Sequence, residues 1–274
     1  MSIESVISVS NVSKSFWVHA RTDATLLSRM ADMLPSGSKR LHSRSISAVQ
    51  DVSFDVHEGE VLGIVGKNAS GKTTLLRLIA GILEPDTGSV HVEGPITSLI
   101  NLSVGLQYRL TIRDNIFLTC SLFGMSRQHI RDVFDVILEY AGITDADMYP
   151  YQLSVGMSQR LAFSIAVHTK PRILLLDEIF SAGDESFRKK AMYTMDELIS
   201  SNVTVVMVSH NLERVEELSD RILWMDQGIV QHQGDPKETI AAYRQFCHCS
   251  TPNAKHHGSA YKHSSSPPAS SSHL

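Results

Sequence analysis

Three stretches of the chain are apolar almost without interruption: Val61-Leu-Gly-Ile-Val65, Ile173-Leu-Leu-Leu176 and Val203 to Val208. Short runs rich in Val, Ile and Leu predict strands buried on both faces, as in the centre of a parallel sheet. A different pattern, Ala48, Val52, Phe54 and Val56 with polar residues between most of them, predicts a half-exposed strand. Elsewhere the period lengthens to that of a helix. Ile130, Val133, Phe134, Ile137, Leu138 and Ala141 share one helical face, and Ser126 stands where an N-cap is wanted.

In chain order, Ile3 to Val12 reads as a strand that Ser13-Lys-Ser-Phe16-Trp17 leaves. From His19 to Arg44, Leu26, Leu27, Met30 and Leu34 fall at helical spacing amid basic residues. This short amphipathic helix either packs on its own domain or offers a surface to a membrane partner. Pro85-Asp-Thr-Gly88 is a turn, and Ser89 to Val92 with Ile96 to Ile100 predict short strands of an antiparallel element. An all-helical insert spans Thr111 to Tyr149, and a helix from about Gly156 stops at His168, ahead of Lys170-Pro171. Helices over Glu185–Ser200 and Asn211–Ser219 follow, then a hairpin of Ile222–Met225 and Ile229–Gln231 around Asp226-Gln-Gly228. Asp235-Pro-Lys-Glu238 opens a last helix to about Phe246. Beyond Ser250 the chain is Ser, Pro and His with almost no apolar content, the composition of a disordered tail. The expected class is α/β: residues 1–250 form one domain, with antiparallel strands and an insertion in 1–60 and a helical insert at about 111–155, and 251–274 form the tail.

Composition changes this picture little. The net charge of −4 over 274 residues argues against nucleic acid as a partner. Three cysteines, Cys120, Cys247 and Cys249, suit a reducing compartment, and one residue between two thiols is poor geometry for a tetrahedral metal. No apolar run approaches the ~20 residues that span a bilayer, so any membrane association is expected through a partner or a surface.

The chemistry gathers at strand ends. Gly66, Lys67, Asn68, Ala69, Ser70, Gly71, Lys72 and Thr73 follow the run Val61–Val65 and lead into an apolar helix at Thr74. This is G-x-x-x-x-G-K-T in the strand–loop–helix context that binds phosphate. Backbone N–H groups and the positive end of the helix cradle the phosphates, Lys72 reaches the β- and γ-phosphates, and Thr73 offers its hydroxyl to Mg²⁺. The loop predicts a nucleoside triphosphate site. Asp177 ends the second apolar run and is the natural metal carboxylate. Glu178, one step on, points elsewhere and can polarise the attacking water. His210 ends the third run at the same sheet edge, as a contact for the γ-phosphate.

Gly66–Thr73, Leu153-Ser-Val-Gly-Met157, Ile173–Asp177 with Glu178, Ser181-Ala-Gly-Asp184 and Ser209-His210 stand in the order of an ATP-binding cassette ATPase. The chain resembles that family over roughly residues 3–246. Within it, Leu110-Thr-Ile-Arg-Asp-Asn115, Asp177-Glu-Ile-Phe-Ser-Ala-Gly-Asp184 and Thr239-Ile-Ala-Ala-Tyr243 resemble the ATPase subunits of bacterial polysaccharide exporters, which handle O-antigen, capsule and teichoic acid. Their signature carries Ser-Gly-Met. Ser154, Gly156 and Met157 keep it, while Val155 replaces a glycine.

The resemblance implies a head-to-tail homodimer in which Ser154 and Gly156 of one copy close over ATP and Mg²⁺ held by the other, with Asp184 communicating across the interface. It implies that Phe16 stacks on the adenine, with Trp17 as the substitute. A separate integral-membrane permease would hold the subunit peripherally at the cytoplasmic face of the inner membrane. The polysaccharide would be handled by the complex and not bound directly, since the tail leaves no room for a carbohydrate-binding domain. The glutamine usual after the antiparallel element is displaced: Gln107 lies close to Thr111, and Asn101 stands nearer its place. A soluble cassette ATPase without a permease is the alternative. A P-loop kinase or GTPase would need neither Leu153–Met157 nor His210, and no Asn-Lys-x-Asp is present.

Overall fold

The computed structural model describes residues 5–19, 43–100, 106–177 and 185–249. The amphipathic segment within 20–42, Asn101, Glu178, the stretch through Asp184 and the tail from 250 lie outside the described residues.

Two sheets form the body. The first is antiparallel, in the order β2 (Ser43–His57), β1 (Ser5–His19), β4 (Thr87–Val92). The second has six strands in the order β5 (Ile96–Ser98), β6 (Ile173–Asp177), β7 (Thr204–Val208), β3 (Val61–Val65), β8 (Arg221–Asp226), β9 (Ile229–Gly234). It is parallel except for β9, which closes the β8–β9 hairpin at one edge. Gln227 and Gly228 turn that hairpin with φ of 50° and 83°, the pair of left-handed residues a two-residue turn requires.

The uninterrupted apolar runs have a simple cause. Leu62 and Ile64, Ile173 and Leu175, Val206 and Val208 face a core shared with the antiparallel sheet and helix α1 (Lys72–Ile79). Val61 and Val65, Leu174 and Leu176, Val205 and Met207 face the opposite core, under α4 (Val155–His168), α5 (Glu185–Ser200), α6 (Leu212–Leu218) and α7 (Pro236–Cys249). Each fully buried aliphatic side chain contributes about 2 kcal/mol. Sheets covered on both faces favour apolar side chains at successive positions.

Two expectations are corrected. β1 does not end at Val12: it passes bulges between Val9 and Lys14 and runs to His19, paired with β2 from Ser43. Asn11 and Asp51 absorb the bulges at φ of 49° and 50°, with Asn11 Nδ2 donating to Asp51 at 3.0 Å. The bulges break the two-residue period, so the alternation stops at Val12 while the strand continues. Likewise β5 does not join the antiparallel element. It pairs parallel with β6, Ile96 opposite Ile173.

The helical insert begins with Thr111, whose hydroxyl accepts from Asp114 N at 3.1 Å to cap α2 (Ile112–Leu122). Ser126 caps α3 (Arg127–Ala141) through His129 N at 3.3 Å, and Gly142 ends it in the left-handed conformation. Ile130, Phe134, Ile137 and Ala141 are buried in a core of the insert's own, and Ser164 Oγ on α4 donates to Ile137 O at 2.9 Å. The loop ahead of α2 is tied down by fully buried Asn115. Its amide donates to the carbonyls of Gln107, Leu110 and Thr111 and accepts from Gln107 N.

Candidate functional site

The loop between β3 and α1 lies at the C-terminal edge of the parallel sheet, where ligands of such sheets collect. Gly71 precedes α1 at φ 103° and has no side chain to cap the helix, so no side chain occupies the first-turn N–H groups. They remain available to an anion. Lys72 is buried, and its Nζ donates to the carbonyls of Gly66 and Lys67 at 2.8 Å each. The cation is thus folded back over its own loop. The hydroxyl of Ser70 is buried with no hydrogen-bond partner.

Close backbone approach explains both glycines. A Cβ on Gly66 would stand 2.2 Å from the carbonyl oxygen of Met225, and one on Gly71 2.2 Å from that of Ala48. Further backbone bonds bind the loop to its neighbours: Gly228 N donates to Ser70 O at 2.9 Å, and Gln50 N to Gly228 O at 2.8 Å. The phosphate loop is therefore clamped between the β8–β9 turn and the antiparallel sheet.

Beside the loop is a pocket of about 260 Å³. Ala69, Ser70, Gly71, Lys72, Thr73 and Thr74 form one wall, and Phe16, Ile46, Ser47 and Ala48 the other. Phe16 and Ile46 are cross-strand partners, and both are well exposed at 38% and 49%. The apolar pair stands over an opening, the setting for a planar ring. Ile46 escaped the sequence reading, although its alternation with Ala48 carried the signal. Trp17, on the opposite face of β1, does not line the pocket. Asp86 anchors this arm: its carboxylate accepts from Lys14 Nζ and from Ser15 N, both at 2.7 Å, which holds it below the usual carboxylate range.

Other expected residues converge on the same sheet edge. Asp177, Val208 and Ile64 are in register across β6, β7 and β3, which sets Asp177 two strand spacings, about 10 Å, from the strand that feeds the loop. Exposed His210 follows β7, two residues beyond that register. Lys67 and exposed Asn68 lie in the loop's opening turn, outside the pocket lining. Ser154 and Gly156 do not line the pocket. They start α4 on the helical insert, where exposed Ser154 caps the helix through Met157 N at 3.2 Å. An added Cβ on Gly156 would meet nothing within 4 Å. Gln107 is exposed, on the loop that Asn115 holds.

A glycine-rich loop joining a buried parallel strand to a helix, beside an aromatic-faced pocket and with a helical insert, defines a P-loop nucleotide-binding domain of the cassette type. Comparison with known proteins agrees. Residues 49–181 match the ABC transporter family model. The teichoic acids export ATP-binding protein TagH of Listeria innocua is 41% identical over 204 residues, 74% of this chain and 61% of that protein. The ABC transporter protein AbcA of Aeromonas salmonicida is 36% identical over 249 residues, covering 89% of this chain and 78% of that one. The O-antigen export system ATP-binding protein RfbB of Klebsiella pneumoniae is 33% identical, covering 89% of this chain and 99% of its own. A dimeric ATP-binding cassette solved with ADP and phosphate shares the fold, with a TM-score of 0.65 at 24% identity over 84% of this chain and 98% of that one. This chain belongs to the ATP-binding cassette (ABC) transporter family. It spans 61% and 58% of the length of two TagH relatives. Among the described residues, no helix is long and apolar enough to cross a membrane.

Proposed function

We propose that this chain is the ATP-hydrolysing subunit of a transporter that exports a cell-surface polysaccharide, working as a head-to-tail homodimer with a separate permease. The observation that carries the reading is the split between two phosphate-binding features on one chain. The loop lines the pocket through Ala69–Thr73, while the start of α4 at Ser154, with its helix dipole, lies outside it. A second copy supplies the missing helix start. The relatives named for teichoic acid and O-antigen export support the cargo.

In this reading the adenine stacks on Phe16 against Ile46, and the phosphates take the N–H groups of the loop and of α1. Lys72 leaves the carbonyls of Gly66 and Lys67 for the β- and γ-phosphates. The hydroxyl of Thr73 and the carboxylate of Asp177 are oxygen donors of the kind Mg²⁺ prefers, and Mg²⁺ would supply charge neutralisation of the phosphates. Glu178 polarises the attacking water and His210 contacts the γ-phosphate, while Ser154 and Gly156 of the other copy close the site. Asp184 communicates between the copies. Cells relying on a subunit that cannot turn over ATP should accumulate polymer in the cytoplasm and lose it from the surface; normal surface polymer refutes the export reading.

The dimer has its own test. Glu178→Gln should bind ATP and remain a closed dimer on size-exclusion chromatography. Adding Gly156→Asp, where there is room within the chain, should return it to monomer with its melting temperature unchanged, because the new carboxylate meets the partner's phosphates. A dimer that persists counts against the sandwich.

The permease is proposed to dock on the helical insert. A groove of about 710 Å³ lies between α2 and α3, floored by Phe117, Leu118 and Phe134. Arg127 and Arg131 line it and make no ion pair among the described residues. Arg127→Glu with Arg131→Glu should abolish export and leave the ATPase rate of the isolated subunit unchanged, measured as surface polysaccharide and phosphate release. Unimpaired export would free this groove of the role.

A further inference from the structure

Lys67 is the second residue of the phosphate loop, and its side chain does not point toward the pocket. Its Nζ sits 4.5 Å from the ring centroid of Phe246, on the last helix. A cation over a ring face is attracted by the ring quadrupole. Phe246 is itself fixed: its ring lies 5.1 Å from that of Trp224, and Trp224 lies 5.7 Å from Tyr243. Trp224 is opposite Val65 in the β3–β8 ladder, the residue from which the loop departs. The aromatic cluster therefore stands at the root of the loop, held there by strand register.

The opening turn does more than carry Lys67. Its carbonyl accepts from Ser70 N at 3.2 Å and from Lys72 Nζ at 2.8 Å, so the backbone that Phe246 steadies also parks the cation that phosphate must recruit. The next strand residue, Met225, packs its carbonyl against Gly66. The first two loop residues are thus braced by β8 and α7 together.

We infer that Phe246 is a positioning residue for the phosphate loop: by holding the Lys67 ammonium on its ring face it keeps the loop's opening turn in its phosphate-ready conformation. This makes the end of α7 a determinant of nucleotide affinity, and the inference rests on the ATP-site reading above.

The test is a double-mutant cycle on the whole chain, read as ATP binding by calorimetry and as KM and kcat for phosphate release. Phe246→Leu should raise Kd and KM about threefold at nearly constant kcat, the scale of a partly exposed cation–π contact. Phe246→Tyr keeps the ring face and should restore both. Lys67→Gln should raise Kd by a similar factor, and adding Phe246→Leu to it should change nothing more. Unchanged Kd in Phe246→Leu overturns the inference. So does an equal rise with and without Lys67, since Phe246 would then act through packing alone. Failure of the unmodified chain to bind ATP would instead bring down the ATP-site reading.

Discussion

Lys72→Ala should lower ATP turnover about a hundredfold or more, the scale seen when one charge-stabilising donor is removed from a transition state. The reason is in the geometry of the free loop. Lys72 is 6% exposed, and its ammonium donates to the carbonyls of Gly66 and Lys67 at 2.8 Å each. Deep burial of a charge is unfavourable unless it is hydrogen-bonded. The amine is therefore kept in place for the phosphates. Alanine removes the charge and takes the ammonium from the Gly66 carbonyl, while that of Lys67 keeps Ser70 N, at about 1–3 kcal/mol of folding stability. The variant should melt lower and bind ATP weakly, by calorimetry and phosphate release. Lys72→Arg should not rescue it, because a planar fork cannot take the place of a point charge in a closed loop. Hydrolysis at the normal rate would contradict the phosphate-loop reading.

Gly71→Ala should destabilise the fold on the order of 3 kcal/mol or more. The new methyl would stand 2.2 Å from the carbonyl oxygen of Ala48, a backbone atom of β2 that cannot rotate away. The φ of 103° adds strain for any residue with a Cβ. Relief requires the antiparallel sheet to part from the phosphate loop, and the pocket formed by Phe16 and Ile46 would open with it. Urea unfolding and ATP binding should fall together. Gly156→Ala is the control. Its added methyl meets nothing, and alanine in a helix gains up to about 1 kcal/mol over glycine. Equal stability of Gly71→Ala and the unmodified chain would mean the sheet and loop are not in contact.

Much of this site could be read along the chain because it is local. The loop's eight residues follow one another, and Gly66 and Gly71 announce two of its positive φ angles, while Ala69 takes φ of 62° with no glycine to signal it. Asp177 and His210 are proposed by the same rule, a polar residue ending a buried strand. Ile46 was missed because it matters only through Phe16, its partner across an antiparallel ladder that the bulges at Asn11 and Asp51 disguise. The contact between Lys67 and Phe246 had no sequence signal, since 178 positions separate the two residues. β5 was misplaced for a related reason: three residues carry too little periodicity to name their sheet.

Local chemistry, written in consecutive residues, was enough to establish a phosphate-binding strand–loop–helix on a parallel sheet with a helical insert. Backbone angles, capping and alternation act over a few positions, so the order of amino acids settles them. Which strand lies beside which was decided only by packing. That choice set β7 between Asp177 and the loop, seated the β8–β9 turn on Ser70, brought Ala48 against Gly71 and laid Phe246 over Lys67. These contacts join residues far apart in the chain, and their energy comes from burying surfaces that no short stretch can bury alone.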